Sequence, residues 1–426
     1  MRGRIQTLQD VVDWGLCVGC GACYYACPDG GVSLVNIEAV GIRPRFDSPQ
    51  CASCTECLSI CPGYSVNGEQ AIGALPKRTE ADHEFGPALE IWEGCATDPE
   101  IRYKGSSGGI LSALALYCLE HEDMAFVLHA GMNEAEPWKN QTVQSWSKHD
   151  IMSRTGSRYA PASPCEGLLA IEQSDRPCVF IGKPCDATAA MALRRTRPGL
   201  DRKLGLVMTF FCAGTPSTEG TLDLVKTLDF SLEQVGEVRY RGEGWPGRFR
   251  VRSKDQTREG SLSYEDSWGR LTHYRSLRCH LCPDGLGRVA DLSCGDAWEN
   301  YGASSDPGRS IVIVRTRRGQ EILHRAMAAR YVELAPIGAS AVLSAQTDLL
   351  ARRRELFGRL LAMKLLLMPT PRFAGFSLLR SWIRLPLLEK ARTVLGTLRR
   401  LVRRGLWRRR PPFAVAVRAG GISRQS

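Results

Sequence analysis

The sequence predicts a multidomain chain, part α+β and part α/β. Three observations carry that prediction: a cysteine figure written twice in the first 65 residues, an alternation of apolar strand, small-residue turn and helix from about residue 101, and a basic C-terminal stretch with helical periodicity. They divide the chain into a cysteine-rich module (1–75), a polar linker (76–100), an α/β domain (101–230), a strand-rich domain that completes its site (231–345) and a helical, arginine-rich tail (346–426).

The first element rests on "CVGCGACYYACP" and "CASCTECLSICP", each a C-x2-C-x2-C-x3-C-P run. This is the bacterial two-cluster ferredoxin spacing, in which three close cysteines hold one cubane and the fourth reaches the other. Carried over, Cys17, Cys20, Cys23 and Cys61 hold one 4Fe–4S cluster, and Cys51, Cys54, Cys57 and Cys27 hold the second. Zinc sites pair two C-x-x-C halves and have no use for a third cysteine and a trailing proline.

Composition limits the setting. Seventeen cysteines in 426 residues suit a reducing compartment, so the expectation is a cytoplasmic protein. No apolar run approaches the roughly 20 residues that span a bilayer, and "MRGRIQTLQDVVDWGL" lacks the apolar core of a secretory leader. The net charge is +11, but residues 372–426 alone carry +13, leaving the body at −2.

The α/β domain is read from "GSSGGILSALALYCLEHEDMAFVLHAG", "RPCVFIGKPCDATAAMALRR" and "LGLVMTFFCAG", whose alternation argues for a largely parallel sheet. Of the later cysteines, Cys118 and Cys178 sit in apolar patterns and read as core thiols. Cys185 and Cys212 end predicted parallel strands, where ligand crevices open, and "RCHLC" offers Cys279 and Cys282. Spacing alone leaves open a four-thiolate cluster, a zinc ion or unliganded core thiols.

The motifs "KGSSGGILSALALYCLE", "TGSRYAPASP", "FIGKPCDA", "MTFFCAG" and "RCHLCPDGLGRVADLSCGD", in that order, resemble the beta subunits of coenzyme F420 hydrogenases and dehydrogenases, over about residues 101–314. That resemblance implies a third 4Fe–4S cluster on Cys185, Cys212, Cys279 and Cys282; Cys294, where the family often has another residue, is an alternative ligand or a thiol just behind the ligands. It also implies FAD. Ser107, Gly108 and Gly109 would face its phosphates before a helix N-terminus, while Ser157, Arg158 and Tyr159 would add a hydroxyl, a charge and an aromatic wall. Lys183 would stabilise an anionic reduced flavin as a catalytic group, unless it is a solvated surface lysine. Glu243, Trp245 and Asp296 are pocket candidates, and His280 would tune the cluster by hydrogen bonding.

The expected chemistry is oxidoreduction: a flavin takes two electrons as hydride, and clusters pass them singly. A ferredoxin or a deazaflavin of the F420 type would donate. The rival is an electron-transfer subunit working for a catalytic partner subunit. In the tail, Leu387, Ala391, Val394, Leu398 and Leu401, with Leu388, Leu395 and Val402, make an apolar stripe among arginines. That suits an ordinary docked helix, or a helix on an anionic membrane surface or acidic protein, peripheral to the inner face of the membrane. Nucleic acid is not expected, because the basic residues avoid the cofactor segments.

Overall fold

The computed structural model describes residues 4–52, 54–68, 80–298 and 307–413. Part of the predicted linker and the last thirteen residues of the tail therefore lie outside the described residues. In chain order the strands are β1 (Val32–Ile37), β2 (Gly41–Phe46), β3 (Ser65–Asn67), β4 (Glu90–Ala96), β5 (Val127–Met132), β6 (Asn140–Ser145), β7 (Cys178–Gly182), β8 (Leu204–Phe210), β9 (Val235–Arg239), β10 (Arg248–Ser253), β11 (Glu259–Ser263), β12 (Leu292–Asp296), β13 (Ser310–Val314), β14 (Val332–Pro336) and β15 (Arg372–Ala374).

Eight of them form one sheet in the order β14-β4-β13-β12-β8-β7-β5-β6. Its centre, β12, β8, β7 and β5, is parallel, and every other pairing is antiparallel. The sheet is therefore mixed where the sequence predicts it largely parallel. The connection from β5 to β6 is short, and parallel strands need a crossover of a dozen or more residues. A second difference concerns the strand-rich segment: β12, β13 and β14 join the same sheet, and only β9, β10 and β11 form a small sheet of their own.

Adjacent residues of the central strands enter opposite cores, as the period of two requires. Val179, Leu206 and Met208 pack against the helices Ile110–His121 and Arg317–Ala328. Cys178, Phe180 and Val207 pack against the helix Pro184–Arg194 and against Cys20, Ala22, Tyr25 and Ala26 of the N-terminal module. The module is thus seated on one face of the main sheet. Cys165 N donates to Cys20 O at 3.0 Å, and Ser163 Oγ donates to Gly19 O at 2.8 Å.

The tail is part of this body. β15 pairs with β3, and Leu356, Met363 and Leu401 share a core with Leu8, Val11, Leu58 and Leu281. The helix Leu387–Arg403 buries Thr393, Thr397 and Leu401. Leu387, Leu388, Ala391, Leu395 and Val402 of the predicted apolar stripe face outward, so the helix docks by the edge of its stripe.

Candidate functional site

The N-terminal module opens with a helix, Leu8–Asp13, started by a reciprocal Thr7–Asp10 capping box. The chain then turns through Gly19 and Gly21, both at positive φ. A Cβ on Gly21 would lie 2.9 Å from both Ser163 O and Glu166 N, so only glycine lets this loop touch the central domain. The turns gather two sets of thiols. Cys17, Cys20 and Cys61 raise one another's or Cys23's pKa by mutual repulsion, in addition to burial. Cys57 is pushed up to about 12 by burial and then by Cys27, Cys54 and Cys51. Cys57 also acts on Cys23, so the two groups adjoin. Cys17, Cys20, Cys23, Cys57 and Cys61, with Leu8, Leu34 and Ile60, line a small apolar cavity.

The third set forms at the carboxyl end of the sheet. Cys185 opens the helix after β7, and Cys212 lies two residues past β8. Cys279 is in the one-turn helix Leu277–His280, whose Ser276 cap accepts from Cys279 N. Burial raises Cys185, with contributions from Cys212 and Cys282. Burial followed by Cys279 and Cys282 pushes Cys212 up to about 12. The structure thus brings Cys185, Cys212, Cys279 and Cys282 together. Among the described residues no three Cys, His, Asp or Glu converge as the ligands of a single metal ion. Four partly buried sulfurs grouped beside the strand ends suit a cubane, where each would bind its own iron.

Cations surround this set. Arg352 donates to Cys212 O and Ala213 O at 2.9 and 2.6 Å, and Arg275 donates to Ala213 O at 2.9 Å. Burial, then Arg275, Arg400, Arg359 and Arg352, hold the His280 pKa down to about 3, so its imidazole is neutral. Lys183 is buried, contrary to a solvated surface lysine: its Nζ lies 2.8 Å from Asp186 Oδ2 and donates to Ala162 O at 3.1 Å. Burial opposes its charge, but Asp186 and Cys185 outweigh burial and keep it protonated. Cys294 stands apart, paired with Val312 and Phe210 inside the sheet. Burial alone raises it to about 12.

The predicted flavin contacts divide. "KGSSGGI" and "TGSRYAP" meet, with Ser157 N donating to Ser106 Oγ at 2.5 Å. Gly108 N, however, donates to Ser310 Oγ, and Ser107 Oγ to Arg309 O. Gly109 is the left-handed cap of the following helix. Arg158 is committed inside the fold, to Asn140 Oδ1, Val238 O and Pro137 O. Gly108 N, expected to face a phosphate, and the Arg158 guanidinium, expected to add a charge, are thus bonded within the protein. Close by, Arg241 forms a two-pronged ion pair with Asp296 and lies over the rings of Tyr264 and Trp298. Trp245 Nε1 also donates to Asp296 Oδ1. Glu243 instead pairs with Arg250.

Comparison with known proteins now bears on this arrangement. Residues 91–170 match the family described as the N-terminal part of the coenzyme F420 hydrogenase/dehydrogenase beta subunit, and 175–340 match the one described as its C-terminal part. Residues 9–62 match a 4Fe-4S dicluster domain. The chain belongs to the family of coenzyme F420 hydrogenase/dehydrogenase beta subunits. It is similar to the coenzyme F420 hydrogenase beta subunit of Methanosarcina barkeri, at 27% identity over 60% of this chain and 84% of that one. It is also similar to the coenzyme F420 hydrogenase beta subunit of Methanothermobacter thermautotrophicus, at 26% identity over 59% and 86%. A solved chain of the F420-reducing [NiFe] hydrogenase complex from Methanosarcina barkeri shares the fold. Its TM-score is 0.53 at 22% identity, covering 68% of this chain and 95% of that one.

The beta-subunit match from 175 to 340 contains the whole third thiol set, Lys183, Arg241 and Asp296. Sequence reasoning missed Arg241, Tyr264, Arg278, Arg352 and Cys165. Arg278 was legible in part, since it stands next to Cys279; its Nη2 donates to Pro62 O at 2.7 Å and ties the third set to the Cys61 loop. Cys165 is a single thiol with no spacing signal. It lies between the Cys20 sulfur, to which it hydrogen-bonds, and Asp186 O, 3.4 Å away.

Proposed function

We propose that this beta-subunit-like protein is an iron–sulfur flavoprotein oxidoreductase of the cytoplasm. It would exchange electrons between a reduced ferredoxin, or a deazaflavin of the F420 type, and a substrate or partner subunit. The observation that carries the reading is the gathering of the thiols into neighbouring sets, with Cys165 and Arg278 joining the Cys17 set to the Cys185 set. Cys17, Cys20, Cys23 and Cys61 would hold one 4Fe–4S cluster, Cys27, Cys51, Cys54 and Cys57 another, and Cys185, Cys212, Cys279 and Cys282 a third. When bound, such clusters carry electrons singly, and FAD supplies the two-electron hydride step.

The chain's own residues supply the surroundings. Burial excludes water from the third set, and the cations Arg275, Arg352 and Lys183 offset the negative charge that four thiolates bring. Tyr159, Tyr264, Trp245 and Trp298 give the carboxyl end of the sheet flat faces suited to an isoalloxazine ring. Ser107 Oγ, bonded to Arg309 O and Ser310 Oγ, would reach a phosphate only by exchanging those partners, and Ser157 would add its hydroxyl.

A second reading, a non-catalytic electron-transfer subunit of a larger redox complex, is favoured by the similarity to named subunits of F420 hydrogenases. Iron, acid-labile sulfide and flavin per chain, with the visible spectrum after anaerobic purification, test the primary reading. About twelve irons and one FAD are expected for three cubanes and a flavin. About eight irons and no flavin would sink it. Turnover with F420 or ferredoxin in the isolated chain separates the first reading from the second.

A further inference from the structure

The C-terminal helices carry a surface that the redox core does not use. In Leu387–Arg403, Leu388, Leu395 and Val402 are seven residues apart and so lie on one line of the helix. They are 82%, 64% and 53% exposed. Leu387 adjoins them, and the preceding helix Leu378–Ile383 adds exposed Leu379 and Ile383. Arg392, Arg399 and Arg403, all exposed, run along the neighbouring line. Near the end of the element Trp407 is partly exposed with Arg408 stacked 4.4 Å over its ring.

The opposite face explains why this one is free. Thr393, Thr397 and Leu401 dock the helix on the body, while Leu387, Leu388 and Leu395 stay in water. Single exposed apolar residues are ordinary, but a continuous row on one helix marks an interaction site. Its surroundings have one sign: residues 372–413 carry twelve Arg or Lys against Glu389 alone, of which Arg409 pairs with Asp10 and Asp13 of the body.

We propose that this face holds the protein on an anionic lipid surface, with the helix lying in the plane of the interface. Leucine, isoleucine and tryptophan would enter the acyl boundary while arginines meet headgroup phosphates, the arrangement of interfacial amphipathic helices. A protein groove would take the leucines equally well, but it gives no reason for a single-sign rim extending past the helix. Among the described residues no helix is long and apolar enough to cross a membrane, so the protein lies on the surface. This inference is independent of which donor or substrate the redox core uses.

The test is co-sedimentation of the anaerobically purified holoprotein with phosphatidylcholine vesicles, with and without phosphatidylglycerol. Binding is expected only to the anionic vesicles and should weaken steeply with salt. Each of Arg392→Glu, Arg399→Glu and Arg403→Glu should weaken partition at least about five-fold, the equivalent of about 1 kcal/mol per arginine near the surface. The exposed pair Leu388→Ser and Leu395→Ser should abolish binding while iron content and unfolding midpoint stay unchanged. Absence of binding to the anionic vesicles overturns the proposal. So does unaltered binding of the leucine variant, or a dimer in which these leucines are protected from labelling.

Discussion

Lys183 shows how a residue adjoining a proposed ligand acquires a second duty. It joins Asp186 in a buried ion pair whose carboxylate also accepts from Lys183 N at 2.9 Å. Lys183→Met leaves Asp186, whose pKa burial already raises, without its partner, which costs about 3–5 kcal/mol for a buried pair broken on one side. Adding Asp186→Asn should restore most of it, measured as chemical-unfolding midpoints of both variants. Cys294 makes the opposite case, since its strand partners place it in the sheet core. Cys294→Ala should keep the full iron content, whereas Cys212→Ser should lose about four irons per chain. His129 gives the pH dependence. Burial lowers its pKa from 6.5 to about 4, with the ring hydrogen-bonded to Ser145 Oγ. Between those values the unfolded chain binds a proton that the folded chain refuses, so stability is complete above about pH 6.5 and falls on acidification. The loss reaches about 3 kcal/mol below pH 4, from 1.36 kcal/mol per pKa unit. His129→Gln should flatten the fall in unfolding midpoint between pH 7 and pH 5 relative to the unaltered protein.

At the scale of elements, strands with continuous apolar runs were legible: "CVFIG" and "LGLVMTF" are β7 and β8, buried on both faces. The placement of the strands beyond β12 was not, because β4 meets β13 and β14 across more than 200 residues of sequence and no local pattern records those pairings. The tail helix was legible in existence but not in orientation. Its docking face is chosen by the surface it meets, and Gly358 there lets Thr393 and Trp382 approach closely. The N-terminal loop carries the prediction that belongs at this scale. Gly21→Ala puts a Cβ into Ser163 and Glu166 and demands a left-handed alanine, about 1–2 kcal/mol before any clash. The variant should keep about twelve irons, since no cysteine changes, while spin coupling between the first and third clusters weakens in electron paramagnetic resonance spectra.

Across the whole molecule, the two N-terminal thiol sets were readable because their spacing is local and repeated. The third set was readable only through strand ends and family resemblance, since Cys185 and Cys282 are brought together by the sheet. The links between sets were invisible: Cys165 and Arg278 act through contacts with Cys20 and Pro62 that only tertiary packing creates. These links place the Cys17 set next to the Cys185 set, and the proposed route runs from the Cys51 set through the Cys17 set to the Cys185 set. If electrons follow that order, removing the third set disconnects the proposed flavin from the module without disturbing the module itself. The Cys185→Ser, Cys212→Ser double variant should therefore retain about eight irons, all reducible by dithionite. A hydride donor that reduces the flavin should then leave those eight irons oxidised, where in the unaltered protein their reduced signals appear. Reduction of the module at the unaltered rate in that variant would place the third set off the route.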